Sequence, residues 1–218
     1  MFRLNLTEVV QNLLIINILF FIGSYLLLGD GGAWYLLAML FPGEEARAVV
    51  PLFGTMFDLK FYPYQIVTHM FMHGGLIHLL FNMLILIFIG PHLEYRWGPK
   101  RFLFFYFASG MGAAALYLFM TYVDVMYYGG QSHPVVGASG AMMGLMVVFG
   151  VTYPDVKLRL LFPPVTLKAK HLVLIYIAID LFGGFSGYET GIAHFAHLGG
   201  ALTGFLIMIY WNKFGSRL

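Results

Sequence analysis

An all-α membrane protein, a single bundle of six transmembrane helices over residues 1–218, is the fold class this sequence predicts, and three observations predict it. The first is composition: 60% hydrophobic, 18% aromatic and only 10% charged residues, against roughly 45–50% apolar and 25% charged in soluble domains. The second is a set of six apolar windows with little or no charge, at 13–28, 67–90, 102–122, 137–152, 172–185 and 192–211. In lipid such segments are read as helices, because the backbone has no other hydrogen-bonding partner. The third is charge placement. Arg3, Arg96, Lys100, Arg101, Lys157, Arg159, Lys168, Lys170, Lys213 and Arg217 fall on one side of that arrangement, and only Arg47 and Lys60 on the other. Positive charge collects on the cytoplasmic side, so both termini are expected there, which requires an even number of crossings. A formal net charge of +2 excludes a strongly basic nucleic-acid binder, so no nucleic-acid partner is expected, and the lack of cysteine excludes disulfides, thiolate metal sites and cysteine nucleophiles.

The elements follow in chain order. The first window comes after Asn5, with Glu8 three residues on as a capping box, and no Ala-x-Ala-like site follows it, so an uncleaved helix is expected. The long first loop, 29–64, carries Asp30, Glu44, Glu45 and Asp58 and an apolar stretch at 33–41 with Trp34 and Tyr35. That pattern predicts a short helix in the headgroup region. The second window has His69, His73 and His78 at its entrance and Asn82 within it, the fourth opens on Ser139, the short fifth holds Asp180, and the sixth holds His197. Gly140 and Gly144, and Gly200 and Gly204, stand one turn apart in the fourth and sixth windows. This spacing lets helix backbones approach closely, so these two helices are expected to touch.

Polar groups inside membrane spans are costly and therefore point to function. His69 and His73 are spaced i, i+4 and His194 and His197 i, i+3, but no HExxH, thiolate or carboxylate cluster accompanies them, which disfavours a zinc or iron centre. Ser139, at a helix start after Gly137, sits where unpaired backbone N–H groups can stabilise an oxyanion, although a packing serine is the competing meaning. It becomes a nucleophile only with a base. His197 shares a helical stripe with Gly200 and Gly204, so docking of that stripe on the fourth helix brings an imidazole toward Ser139. No acidic residue is obviously placed to orient the ring, and a Ser–His pair without a carboxylate is the natural proposal; Asp180 is left as either a gate residue or a structural anchor. His78 and Asn82, i and i+4 on one face, supply two further donors or else interhelical hydrogen bonds.

Four segments now carry a resemblance: His73-Gly74-Gly75-Leu76-Ile77-His78-Leu79-Leu80-Phe81-Asn82, Glu94-Tyr95-Arg96-Trp97-Gly98, Gly137-Ala138-Ser139-Gly140, and Ala196-His197-Leu198-Gly199-Gly200 with Gly204. In order and spacing the sequence resembles the rhomboid family of intramembrane serine proteases from about residue 64 to 211. The resemblance implies a rhomboid-like six-helix core, a Ser139–His197 catalytic dyad, and an oxyanion hole made by the Ser139 N–H with the His78 and Asn82 side chains. It also implies a water-filled cavity open to the non-cytoplasmic side. Transmembrane protein substrates and membrane lipids are the implied partners, no metal or organic cofactor is needed, and a bacterial cell membrane is the expected location. Two positions depart from the family pattern: Tyr64-Gln65 stands where many relatives have Trp-Arg, and Met143 where some bacterial relatives have an aromatic residue. A small transporter or channel lined by the same polar residues is the rival reading from another class, and a non-proteolytic binder of membrane clients is a second.

Overall fold

The computed structural model describes residues 6–24, 37–43, 46–50, 55–160, 164–186 and 193–214. Six long helices occupy the places of the six windows: α1 (Glu8–Gly23), α3 (Leu76–Trp97), α4 (Pro99–Val123), α5 (Ser139–Thr152), α6 (Ala169–Phe185) and α7 (His194–Phe214), with a four-residue α2 (Gln65–Thr68) ahead of α3. Leu76–Trp97 and the run Pro99–Tyr128 are long and apolar enough to cross a membrane by length and composition, and Glu8–Gly23 and Ser139–Thr152 are shorter apolar helices.

Where the helices begin and end differs from the hydropathy windows for identifiable reasons. The second window splits: α2 and a 3-10 turn (His69–Phe71) come first, the chain extends through Met72, and α3 starts only after Gly74-Gly75. Two successive glycines carry a high entropic cost in a helix interior and mark the break. At its other end α3 runs through Pro91 and past Glu94 to Gly98, whose φ of +80° and N–H bond to the Glu94 carbonyl stop it, and Pro99 then opens α4 in the first-turn position proline tolerates. The α1 terminus is not a capping box. The helix starts at Glu8 with Thr7 as its cap residue, and the carboxylate of the distant Glu94 accepts the N–H groups of Val9 (3.1 Å) and Val10 (3.0 Å) and the Thr7 hydroxyl. Asn5 lies outside the described residues.

The first loop also departs from expectation. Of the stretch 33–41, residues 33–36 lie outside the described residues, and 37–41 form a turn and an extended segment in which Met39 pairs with Val135 (N···O 2.9 Å) instead of a helix. The loop's regular structure is an antiparallel hairpin, β1 (Ala46–Val50) with β2 (Thr55–Leu59), in which Ala46 faces Leu59 and Val50 faces Thr55. A second hairpin, β3 (Lys157–Arg159) with β4 (Thr166–Lys168), joins α5 to α6. Gln65 anchors the first loop: fully buried, its Oε1 accepts the N–H groups of Tyr62 (3.1 Å) and Leu40 (3.4 Å), and its Nε2 donates to the Lys60 carbonyl (3.3 Å). Tyr64 beside it is exposed, and its ring stacks on that of Tyr62 with centres 5.3 Å apart.

The helices are held together by small residues. α7 lies between α4 and α5: a Cβ at Gly200 would come within 1.9 Å of the Gly140 carbonyl oxygen and one at Gly204 within 2.8 Å of the Gly144 Cα, so the α5–α7 seam exists only without side chains. The opposite side of α7 is as tight, with Gly199 against the Gly112 carbonyl of α4. Around this seam Phe102, Phe105, Tyr106, Leu145 and Val148 form a fully or nearly fully buried core. Large apolar side chains such as Leu19, Phe88, Phe104 and Phe119 face outward, the surface expected of a bundle whose solvent is hydrocarbon.

Candidate active site

Ser139 is the first residue of α5, and the turn before it depends on Gly137. Its φ of +129° is glycine's territory, and a Cβ there would lie 2.8 Å from both Cε1 and Nε2 of His78. The Gly137 N–H is tied to the His69 carbonyl (2.8 Å), which fixes the approach to Ser139 from the loop ahead of α3. His197 sits in the first turn of α7, held level with Ser139 by the glycine seam. Its Nε2 is 2.8 Å from Ser139 Oγ, and both residues are partly exposed.

Sequence alone places no acidic partner beside His197; the structure supplies one. Asp180, almost fully buried on α6, places Oδ1 3.0 Å from His197 Nδ1 and 2.8 Å from His194 Nδ1. The signal was present in the sequence. Asp180 stands five residues before the end of α6 and the histidines in the first turn of α7, so consecutive antiparallel helices put them at one level. The His194 and His197 pair, spaced as metal ligands would be, thus converges on a carboxylate, while His69 Nδ1 is engaged by the Gln65 carbonyl (2.9 Å). Among the described residues no three His, Cys, Asp or Glu side chains gather as a metal site.

The other two predicted donors lie beside this pair to different degrees. The His78 ring abuts Gly137, and its Nδ1 accepts the Gly74 N–H (3.4 Å), which leaves the ring proton on Nε2, the atom next to the Gly137 backbone. Asn82, one turn further along α3, is buried, and its Nδ2 donates to the His78 carbonyl of its own helix (2.9 Å). That bond uses one of the two amide hydrogens, and the second is the one left to serve an oxyanion. His73 packs edge-on to His78 at 5.2 Å between ring centres, and Met143, one turn after Ser139, is buried in the core.

Such a site can perform acyl transfer. A hydroxyl hydrogen-bonded to an imidazole, whose other nitrogen meets a carboxylate, is the arrangement that activates serine, and a helix start and a neighbouring imidazole N–H provide donors for the charge that develops.

Comparison with known proteins agrees with the motifs. Residues 60–214 match the family model described as the Rhomboid domain. RHOMBOID-like protein 4 of Arabidopsis thaliana is 37% identical over 138 residues, covering 62% of this chain and 31% of that protein. Rhomboid protease AarA of Providencia stuartii is 30% identical over 148 residues, covering 64% of this chain and 53% of that protein. The presenilin-associated rhomboid-like protein, mitochondrial, of Bos taurus is 30% identical over 144 residues, covering 66% of this chain and 37% of that protein. The matched region thus spans about a third to a half of the length of these relatives.

Proposed function

Because the chain belongs to the rhomboid family, we propose that it is an intramembrane serine endopeptidase that hydrolyses peptide bonds in or near transmembrane segments of other membrane proteins. The observation that carries the reading is the 2.8 Å approach of His197 Nε2 to Ser139 Oγ inside a bundle whose exterior is apolar. Ser139 Oγ attacks the substrate carbonyl while His197 Nε2 takes its proton; the tetrahedral intermediate expels the amine, which leaves with that proton, and an ester links the acyl part to Ser139. Water then attacks the ester, gives a proton to His197, and the acid departs as Ser139 recovers its hydrogen. The Ser139 N–H, the His78 Nε2–H and the second Asn82 amide N–H are the donors that serve the oxyanion. A helical substrate has its carbonyls engaged, so segments weakened near the cut are the expected substrates.

We place the whole chain in one domain of six crossings. α5, 14 residues long and so about 21 Å, is enclosed by other helices and need not meet the headgroups itself. Both termini are assigned to the cytoplasmic side by the distribution of Lys and Arg. The relatives come from a plant, a bacterium and a mitochondrial protein of cattle, and this spread carries no preference for a bacterial cell membrane over other membranes.

The test is labelling of the purified protein by a fluorophosphonate, which forms an adduct only with an activated serine. An adduct mapped to Ser139, lost in Ser139→Ala and His197→Ala together with cleavage of a membrane substrate, is the expected result. A chain that cleaves with Ser139 replaced is not a serine protease of this design.

A further inference from the structure

We propose that Asp180 is the positioning residue of the Ser139–His197 pair, its carboxylate fixing the tautomer and plane of the His197 ring, so that the site works as Ser139–His197–Asp180. This rests on the serine-protease reading and adds to it a third side chain, from a third helix. Two imidazoles meet one oxygen: Asp180 Oδ1 lies 3.0 Å from His197 Nδ1 and 2.8 Å from His194 Nδ1. A hydrogen on Oδ1 could serve only one ring, whereas a carboxylate oxygen accepts from both, which puts a proton on each Nδ1. His197 Nε2 is then unprotonated and directs its lone pair at Ser139 Oγ, the tautomer a general base requires. When Nε2 takes the serine's proton, the resulting imidazolium faces an anion across a buried hydrogen bond.

His194 holds the carboxylate from the other side. The Nε2 tip of its ring fits against α6 where Gly183 leaves room, since a Cβ there would come within 2.3 Å of His194 Nε2. The carboxylate is thus gripped from α7 by two rings one turn apart. Its second oxygen, Oδ2, is buried with no hydrogen-bond partner among the described residues. A half-satisfied buried carboxylate costs stability, and an apolar side chain would tie α6 to α7 at less cost. An anchor alone therefore does not account for an aspartate here, whereas orientation of a base does.

The experiment compares the full chain with Asp180→Asn and with Leu172→Ala, a buried α6 position remote from the site that serves as a stability control. Asp180→Asn is expected to slow fluorophosphonate labelling of Ser139 by about 10²-fold, the scale of a misplaced reacting group, and to lower kcat with KM unchanged. Leu172→Ala is expected to lower the melting temperature yet keep the native labelling rate. Nitrogen-15 NMR of the unaltered protein, assigned through His197→Ala, should show His197 protonated on Nδ1 and bare on Nε2, a readout independent of whether the variants fold. Native labelling in Asp180→Asn, the opposite tautomer, or slowing in both variants in proportion to lost stability overturns the proposal. Failure of the unaltered chain to label at all instead sinks the protease reading, while the NMR result still reports on the Asp180–His197 bond.

Discussion

Helices α5 and α6 each deliver one end of the Ser139–His197–Asp180 chain, from opposite surroundings. In α5 every residue from Gly140 to Gly150 is buried, with Gly140, Gly144 and Gly150 admitting neighbours closely and the Met, Leu and Phe side chains between them filling the core. In α6 only Ala169, Leu172, Val173 and Asp180 are buried, and Phe182 is 74% exposed. Three of those four cluster at its start, where the Ala169 N–H bonds the Val156 carbonyl (2.8 Å) and Gly150 of α5 lies against Val173. α6 is thus pinned at its first turn, and at its far end it meets the start of α7 through Asp180, through Gly183 against His194 and through the Phe185 and Phe195 rings, 5.3 Å apart. On the proposed mechanism the nucleophile rides on the enclosed helix and the orienting carboxylate on the peripheral one, and we propose that α6 is the element that moves aside to admit a substrate helix.

The sharpest way to break that contrast is at the glycine seam. Gly200→Val, whose side chain would meet the Gly140 carbonyl, should cost more than the roughly 1–3 kcal/mol of ordinary overpacking and abolish a cooperative melting transition in detergent. Phe182→Ala on the exposed face of α6 should change stability by no more than about 0.5 kcal/mol. Comparable losses in the two variants would remove the distinction between a fixed and a peripheral helix.

A cysteine crosslink from α6 to α3, in a chain with no native thiol, comes next. It should block cleavage of membrane protein substrates and leave fluorophosphonate labelling of Ser139 intact, because a small probe needs no opening. Undiminished proteolysis in the crosslinked protein would rule out α6 as the gate. A smaller effect belongs to the fixed half: Asn82→Ala should lower kcat by about 10²–10³-fold if its amide serves the oxyanion, whereas a native rate in a steady-state assay would confine Asn82 to its bond with the His78 carbonyl.

The smallest effect lies at the α5–α6 connection, where Asp155 meets Lys168 (2.9 Å) and Lys170 (3.0 Å). Hydrogen bonds from these lysines, Lys168 foremost, hold the Asp155 carboxyl down at about 2. Because the folded value lies below the ordinary 3.8, the contribution is present above that pH and fades as pH falls toward 2. The group is fully exposed and screened, so Asp155→Asn should leave the melting temperature at neutral pH unmoved; a clear drop would mean that this pair, and not burial at Ala169, Leu172 and Val173, pins α6.

The six helices and the Ser139–His197 approach were legible because an apolar chain has few polar residues to spend, and those at 78, 82, 139 and 197 stood out against it. The seam was legible too, since Gly140, Gly144, Gly200 and Gly204 repeat at one-turn spacing on both partners. The start of α3 was hidden because hydropathy runs unbroken from 67 to 90 while Gly74-Gly75 interrupts the backbone. The hairpins were hidden because strand pairing in short loops depends on partners that no local pattern specifies. Asp180 was visible as an anomaly, but its service to His197 depended on the register of two helices, which composition does not record.

The Glu94 carboxylate carries a consequence for how the chain is made. It completes the start of α1 from a position 84–87 residues later. At roughly 5–20 residues per second of synthesis, the first helix waits about 4–17 s for the partner that closes its end. Until then the Val9 and Val10 N–H groups lack this partner and depend on solvent. Closure of the first helix's end is thereby tied to synthesis of the third, and a chain truncated before Glu94 is expected to exchange the amide hydrogens of Val9 and Val10 faster than the full chain.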